Sequence, residues 1–219
     1  MMNMNNSVVF KMHLIKTAPD THDQYLNASR GDMITAVAIE DGTLGMYSSH
    51  QPDDITNNFA FEVFNDEKSY QAHRQAPTYQ QFDQQLADII VDHQVIDLAP
   101  QFMSHQDVAL NISTPNDLWI NIVSISVAAD HLADFKKVVA AQLDNAIKSD
   151  PGILAIYAGT KEGQPTEWVI YEVFQSEETY RKHIASPDHQ DYLARTKEWV
   201  QAKKVDQTIG DILVNRGND

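Results

Sequence analysis

The sequence predicts an α+β protein built from two copies of one unit, each with the element order β-α-β-β-α-β. The first observation behind this prediction is an internal repeat, because residues 56–82 return without a gap as residues 166–192. The second is the length of 219 residues, which suits two domains of about 100 residues each. The repeated positions are Thr56, Glu62, Val63, Phe64, Glu67, Tyr70, His73, Pro77 and Gln80, which recur as Thr166, Glu172, Val173, Phe174, Glu177, Tyr180, His183, Pro187 and Gln190.

The first copy opens with an apolar strand over residues 7–16, followed by a weak helix pattern over residues 20–38. Gly31 falls inside that pattern and costs a helix about 1 kcal/mol relative to Ala, so we expect a break there. Two more strands are predicted over residues 43–49 and 59–64, with a polar loop between them.

Two helices and a strand complete the first copy. Asp66 stands where an N-cap is expected, because its carboxylate can accept hydrogen bonds from the free N–H groups of a first helical turn. Pro77 begins the next helix, since its missing N–H is harmless at the first helical position. We expect this helix to reach residue 92 and a strand to follow over residues 94–103. The resulting order is that of a ferredoxin-like unit.

The second copy repeats this order after a linker. Its predicted strands cover residues 118–127, 153–159, 168–174 and 205–214. Asp130 is the expected N-cap of a helix that runs to residue 148. The apolar stripe of that helix consists of Leu132, Phe135, Val138, Val139, Leu143 and Ile147. The predicted domains are therefore residues 1–104 and 118–219, joined by residues 105–117.

A unit of this kind covers one face of its sheet with helices and leaves the other face apolar. That face must be buried, and two copies in one chain can bury it by pairing their sheets. The sequence therefore predicts tandem ferredoxin-like domains that form a pseudo-dimeric α/β barrel within one chain, as a monomer or as a homodimer of such chains.

Composition narrows the class of protein. The formal net charge of −15 repels nucleic acid backbones and anionic lipid, so partners of these kinds are not expected. The absence of cysteine excludes disulfides, thiolate catalysis and cysteine-based metal sites. Residues 1–10 lack the features of a signal peptide, and no window approaches the apolar length of a membrane span. We expect a cytoplasmic protein.

Both copies share a pattern of a strand ending in Glu-x-aromatic, a short capped helix, and His-x-x-x-Pro before the next helix. It stands as FEVFNDEKSYQAHRQAPTYQQF in the first copy and YEVFQSEETYRKHIASPDHQDY in the second. This pattern resembles the antibiotic biosynthesis monooxygenase family, and the resemblance covers nearly the whole chain. It implies a dimeric α/β barrel and a cofactor-free oxygenase that acts on small quinol-like or polycyclic phenolic compounds. A deprotonated phenolic substrate can itself supply electrons to dioxygen, so the protein needs a dry pocket, a base and orientation.

His183 and His73 are the leading candidates for the base, because an imidazole near neutral pKa can accept a phenol proton and return it. The alternative is a structural histidine that bonds a backbone carbonyl before the following Pro. Glu172 and Glu62 lie in apolar strands, where a half-buried carboxylate would have a raised pKa and could transfer protons. A structural carboxylate bonded to a neighbouring element is the alternative for both.

The remaining candidates form a predicted pocket wall, although aromatic residues of this kind are also typical of a core. They are Asn121, Trp119, Tyr157, Trp168 and Phe174. Because the first copy has the weaker first helix, we expect the C-terminal domain to hold the better-formed pocket. His189 and His50 are expected at the surface, and the histidine spacing predicts no metal site.

Three functions fit these residues: a cofactor-free monooxygenase, an enzyme that isomerises or hydrolyses a small carbonyl compound, and a non-catalytic module that binds a small apolar ligand. The sequence favours an enzyme, with a small apolar or aromatic substrate as its partner.

Overall fold

The computed structural model describes residues 7–217, so residues 1–6 of the segment analysed for a signal peptide lie outside it. The elements follow the predicted repeat. In chain order they are β1 Val9–Thr17, α1 His22–Ile39, β2 Thr43–Gln51, β3 Asp54–Phe64, α2 Glu67–Gln75, α3 Pro77–Leu86, β4 Ile90–His105, β5 Asn111–Ile112, β6 Trp119–Val127, a 3-10 turn Ala129–His131, α4 Leu132–Ser149, β7 Ile153–Lys161, β8 Gln164–Phe174, α5 Glu177–Ala185, α6 Pro187–Thr196 and β9 Val200–Asn215.

The predicted helix starts around the repeat are confirmed. The Asp66 side chain accepts a hydrogen bond of 2.7 Å from the backbone N–H of Ser69 and caps α2. Pro77 is the first residue of α3. Ser176 caps α5 in the second copy by accepting from the N–H of Thr179.

Three local predictions are wrong. α1 is continuous through Gly31, because its buried face, which includes Tyr25 and Ala36, packs into the core and outweighs the helix cost of one Gly. α3 ends at Leu86 instead of residue 92, since the run Ile89-Ile90-Val91 favours a strand. Asp130 lies in the 3-10 turn, and α4 begins after His131 without a side-chain cap.

The strands form a ladder with the order β2-β3-β1-β4-β7-β8-β6-β9, and β2 also pairs with β9. The hydrogen-bonded order therefore closes on itself through antiparallel pairs. This confirms the predicted barrel of two ferredoxin-like sheets. The short strand β5, which lies in the predicted linker, adds to the edge of β9.

Two compact units make up the described chain, and each takes its last strand segment from the other copy of the repeat. The N unit comprises residues 7–97, 107–116 and 208–217, and the C unit comprises residues 98–106 and 117–207. In the N unit, Met46, Phe64 and Ile212 belong to one apolar core. In the C unit, Phe102 packs in the same core as Phe135 and Trp168. The long strands β4 and β9 each divide between the units.

Among the helices of residues 7–217, none has the length and apolar character needed to cross a bilayer.

Candidate active site

The N unit contains a cavity of about 470 Å³, within the range of small-molecule binding sites. We call it the N-unit cavity. Apolar side chains such as Ile15, Ile90 and Val95 line one part of it. The charged and imidazole side chains that line it are His13, Asp32, Glu62, Arg74, Asp83 and His93.

Three of these polar residues form a chain of contacts that ends at the cavity. His13 on β1 is buried, and its Nε2 lies 3.3 Å from Oε2 of Glu62 on β3. Its Nδ1 lies 2.9 Å from Nε2 of His93 on β4, whose ring stacks beside it. The antiparallel register of β1 and β3 creates the first contact, because Lys11 is paired with Glu62 and His13 lies two residues further along the same face.

The charges within this chain shift two pKa values. Burial alone would raise the pKa of Glu62, but the facing His13 outweighs it and lowers the pKa to about 2. Burial, followed by the neighbouring His13, lowers the pKa of His93 below its usual range. Glu62 is therefore ionised and His93 neutral at pH 7.

His73, one of the two predicted bases, lies behind the cavity instead of in its wall. It is fully buried, and its Nδ1 lies 3.0 Å from Oε2 of Glu40. Its Nε2 lies 3.7 Å from Oδ2 of Asp32, which lines the cavity. Burial raises the pKa of Asp32 to about 6 despite the opposing effect of His73. His73 thus connects α2 to Asp32 within α1 and to Glu40 at the C-terminal end of that helix.

The equivalent region of the C unit contains a cavity of about 40 Å³, which we call the C-unit cavity. Glu172, His183 and His189 line it, together with Asn121, Tyr180 and Lys203. The rings of His183 and His189 meet edge to face at 4.8 Å. Nε2 of His183 and Nδ1 of His189 are buried without a hydrogen-bond partner among residues 7–217. A space of this size accommodates a water molecule but not a polycyclic phenol.

Burial dominates the electrostatics of the C-unit cavity. It raises the pKa of Glu172 to about 7, although Lys203 and the hydrogen-bonding Asn121 oppose the shift. It also lowers the pKa of both His183 and His189 to about 4. At neutral pH both imidazoles are therefore uncharged, and Glu172 is divided between its two protonation states.

Of the predicted pocket wall, Asn121 lines the C-unit cavity, and its Oδ1 accepts a hydrogen bond of 3.1 Å from Nε1 of Trp119. Trp119 stacks on Tyr180. Trp168 packs edge to face on Phe135, and Phe174 lies against Tyr180 and His183. Tyr157 shares a hydrogen bond of 2.7 Å with Nδ1 of His105. Trp119, Trp168, Phe174 and Tyr157 line neither of the two cavities.

Two expectations are corrected by these positions. Of the two equivalent cavities, the larger lies in the N unit and not in the C-terminal half, and Ile170 lines the C-unit cavity where the N-unit cavity has the smaller Ala60. His189 and His50 are buried and not at the surface. His189 lies on the inner face of α6, and His50 belongs to β2 instead of a loop.

His13 and His93 were not among the predicted site residues. His13 interrupts an apolar strand and stands where the second copy has Val123, while His93 stands where the second copy has Lys203. Such differences between duplicated positions are the signal that could have identified them.

Solved structures with the same fold cover almost the whole chain. A candidate monooxygenase from Lactobacillus acidophilus is 22% identical, with 96% of this chain and 97% of that chain covered and a TM-score of 0.88. A candidate monooxygenase from Fusobacterium nucleatum is 18% identical, with 99% and 98% covered and a TM-score of 0.89. A protein described as anthrone oxidase-like is 8% identical, with 98% and 95% covered and a TM-score of 0.60. No curated protein matches the chain significantly.

The family model for antibiotic biosynthesis monooxygenase matches the chain twice, at residues 9–85 and 119–195. The two matches coincide with the two copies of the repeat and together cover most of the chain. The protein belongs to the antibiotic biosynthesis monooxygenase family and carries two such domains in tandem.

Proposed function

We propose that the protein is a cofactor-independent monooxygenase that oxidises a small quinol-like or polycyclic phenolic compound in the N-unit cavity. The observation that carries this proposal is the contact chain of Glu62, His13 and His93, which ends at a cavity of about 470 Å³. Family membership and the similar fold of an anthrone oxidase-like protein support the class of reaction.

His93 is the proposed base. A contact between two imidazole nitrogens requires one donor and one acceptor. When His13 is the neutral tautomer with its Nε2–H facing the Glu62 carboxylate, its Nδ1 accepts from the Nε2–H of His93. Nδ1 of His93 then keeps its lone pair, and the lowered pKa of this ring keeps the lone pair available at pH 7. The Glu62 charge stabilises the imidazolium that forms when His93 takes a proton.

Arg74 supplies the second element of the proposed mechanism. Its guanidinium lines the cavity and lies over the ring of Tyr79 at 4.2 Å. A cation at this position favours the phenolate over the phenol, because it attracts the negative charge that deprotonation creates. The counterpart of Arg74 in the C unit is Ile184, so the second copy lacks this charge.

The substrate itself provides the electrons. After His93 removes a proton, the electron-rich anion transfers electrons to dioxygen, and one oxygen atom forms a bond to the substrate carbon. For an anthrone, a CH2 group and O2 give a C=O group and water, which balances atoms and electrons. The proton held by His93 returns to the reduced oxygen as water leaves.

The test is oxygen uptake by protein treated with a chelator, with anthrones and quinols as substrates. We expect uptake in the parent protein and a fall of about 100-fold or more in His93→Ala, which is the usual effect of removing a general base. His183→Ala is the matched control, because His183 does not line the N-unit cavity in which the oxidation is proposed. Its uptake should remain within about two-fold of the parent rate.

The other outcomes separate the alternatives. Equal uptake in His93→Ala and the parent protein would remove His93 from the mechanism. A loss confined to His183→Ala would return the reaction to the C unit, where Glu172 and His183 were the sequence-based candidates. A shift in melting temperature with these compounds, without any oxygen uptake, would favour a binding module. Turnover of a small carbonyl compound without uptake would favour an isomerase or hydrolase on this scaffold.

A further inference from the structure

A second polar cluster lies in the N unit, and it consists of His22, His50 and Asp211. Nδ1 of His50 lies 2.9 Å from both carboxylate oxygens of Asp211. Nε2 of His22 lies 4.0 Å from Oδ1 of the same carboxylate. The side chains are 13%, 11% and 6% exposed for His22, His50 and Asp211, so the cluster is nearly closed to solvent.

A β-bulge directs the Asp211 side chain towards the two histidines. In the ladder of β2 and β9, Ser48 pairs with Ile212 and the adjacent Ser49 pairs with Gly210. Asp211 is therefore the extra residue on β9, and a bulge of this kind turns the side chain away from strict alternation. His22 is the first residue of α1, and its ring meets that of His50 edge to face at 4.7 Å.

The C unit contains the same bulge without the same chemistry. Pro100 pairs with Gly159 and Phe102 pairs with Ala158, so Gln101 is the extra residue, and its amide lies 3.4 Å from the hydroxyl of Thr160. The counterparts of His22, His50 and Asp211 along the repeat are Leu132, Thr160 and Gln101. The fold thus tolerates ordinary side chains at all three positions, and the N unit alone has a metal-ligating residue at each of them.

The geometry of the cluster suits a metal ion. Each residue offers one ligand atom, and these atoms all lie within 4.8 Å of one another. Ligand atoms of a tetrahedral metal are separated by about 3.3–3.6 Å, given metal–ligand distances of about 2.0–2.2 Å. Nδ1 of His22 is buried without a hydrogen-bond partner among residues 7–217, so hydrogen bonding does not account for a histidine at this position.

We propose that His22, His50 and Asp211 bind a divalent transition metal, with Zn²⁺ as the expected ion and a fourth position left for solvent. Two imidazoles and one carboxylate are a ligand set that Zn²⁺ and other first-row metals prefer. The bound ion would link the start of α1 to β2 and β9, because each of these elements contributes one of the three ligands. This site is separate from His13, Glu62 and His93, and the proposed oxidation does not require it.

The test is metal binding by the full, tag-free chain after chelator treatment. We expect calorimetry to give one equivalent of Zn²⁺ per chain, and Co²⁺ to give the intense visible absorption of a tetrahedral site. Asp211→Gln and His50→Thr introduce the residues found at the equivalent positions of the C unit. Each should weaken Zn²⁺ binding by about 100-fold or more, since each removes a direct ligand.

His131→Ala is the matched control, because His131 also lies close to an aspartate, Asp130, but is well exposed. This variant should bind Zn²⁺ as tightly as the parent chain. If a ligand variant does not fold, His22→Leu provides the same test with the residue of the other copy. Absence of a Zn²⁺ equivalent in the parent chain would overturn the proposal, as would unchanged affinity in the folded ligand variants.

Discussion

At the scale of single residues, duplication has given the same glutamate opposite properties in the two units. Glu62 and Glu172 occupy equivalent positions on β3 and β8. The pKa of Glu62 is lowered to about 2 because His13 outweighs the effect of burial. The pKa of Glu172 is raised to about 7 by burial, because Val123 replaces that histidine. The histidine on the neighbouring strand is therefore the largest of the interactions that lower the pKa of this carboxyl in the N unit, and Arg74 adds to it.

The raised pKa of Glu172 predicts a specific pH dependence of stability. Its folded pKa of about 7 exceeds the ordinary glutamate pKa of 4.5, so its contribution to stability is fully present below pH 4.5 and is lost as pH rises through 7. Glu172→Gln removes this loss. We expect the variant to gain stability relative to the parent chain by on the order of 3 kcal/mol between pH 4.5 and pH 8.5.

Urea denaturation at several pH values measures this difference. Glu162→Gln is a suitable control, because Glu162 lies exposed in the turn before β8 and should show no such trend. A difference between Glu172→Gln and the parent chain that is constant across the pH range would contradict the assigned pKa.

At the scale of elements, tertiary packing explains where the sequence prediction failed. The repeat, the caps at Asp66 and Pro77 and the stripe of α4 are local patterns, and they predicted their elements correctly. The break at Gly31 was wrong because local propensity does not include the buried face of α1. The pairing of His13 with His93 depends on residues 80 positions apart, and no local pattern reports such a contact. The bulge at Asp211 depends on strand register in the same way.

The continuous α1 predicts that Gly31→Ala will stabilise the protein. Gly31 lies in the middle of the helix, and a Cβ added there meets no atom within 4 Å. The equivalent residue in α4 is Ala141. We expect a gain of about 0.5–1 kcal/mol in the free energy of unfolding, because Ala has the higher helix propensity and a less flexible unfolded state.

Chemical denaturation monitored by circular dichroism measures the gain. Gly163→Ala serves as the comparison, because Gly163 has a φ of +71°, which an L-residue adopts only with strain. This variant should lose about 1 kcal/mol or more. Destabilisation by Gly31→Ala would mean that α1 is bent or packed at this point.

At the scale of the whole chain, the two copies of the repeat complete each other through strands β4 and β9. Residues 98–105 of β4 pair with β7 in the C unit, and residues 209–215 of β9 pair with β2 in the N unit. These two strand segments are equivalent along the repeat. Each unit therefore contains a strand segment that the other copy of the repeat contributes. A single copy separated at the linker lacks the strand segment that the other copy supplies to its sheet.

This exchange predicts the behaviour of the isolated second copy, residues 118–219. Without residues 98–105, β7 becomes an open edge, and the second half of β9 loses β2. Open edges and unpaired apolar strands drive association. Because the β9 segment is the counterpart of the missing β4 segment, we expect two copies to exchange these segments and form a symmetric dimer.

Light scattering after size-exclusion chromatography should give twice the fragment mass for residues 118–219. A longer fragment, residues 98–219, is the matched control, because it carries its own β4 segment and can close the β7 edge within one chain. The mass measured for fragment 98–219 should be closer to that of one fragment chain than to that of two. A folded, monomeric fragment 118–219 would show that a single copy is complete in itself, and that the strand exchange is a consequence of duplication and not a requirement for folding.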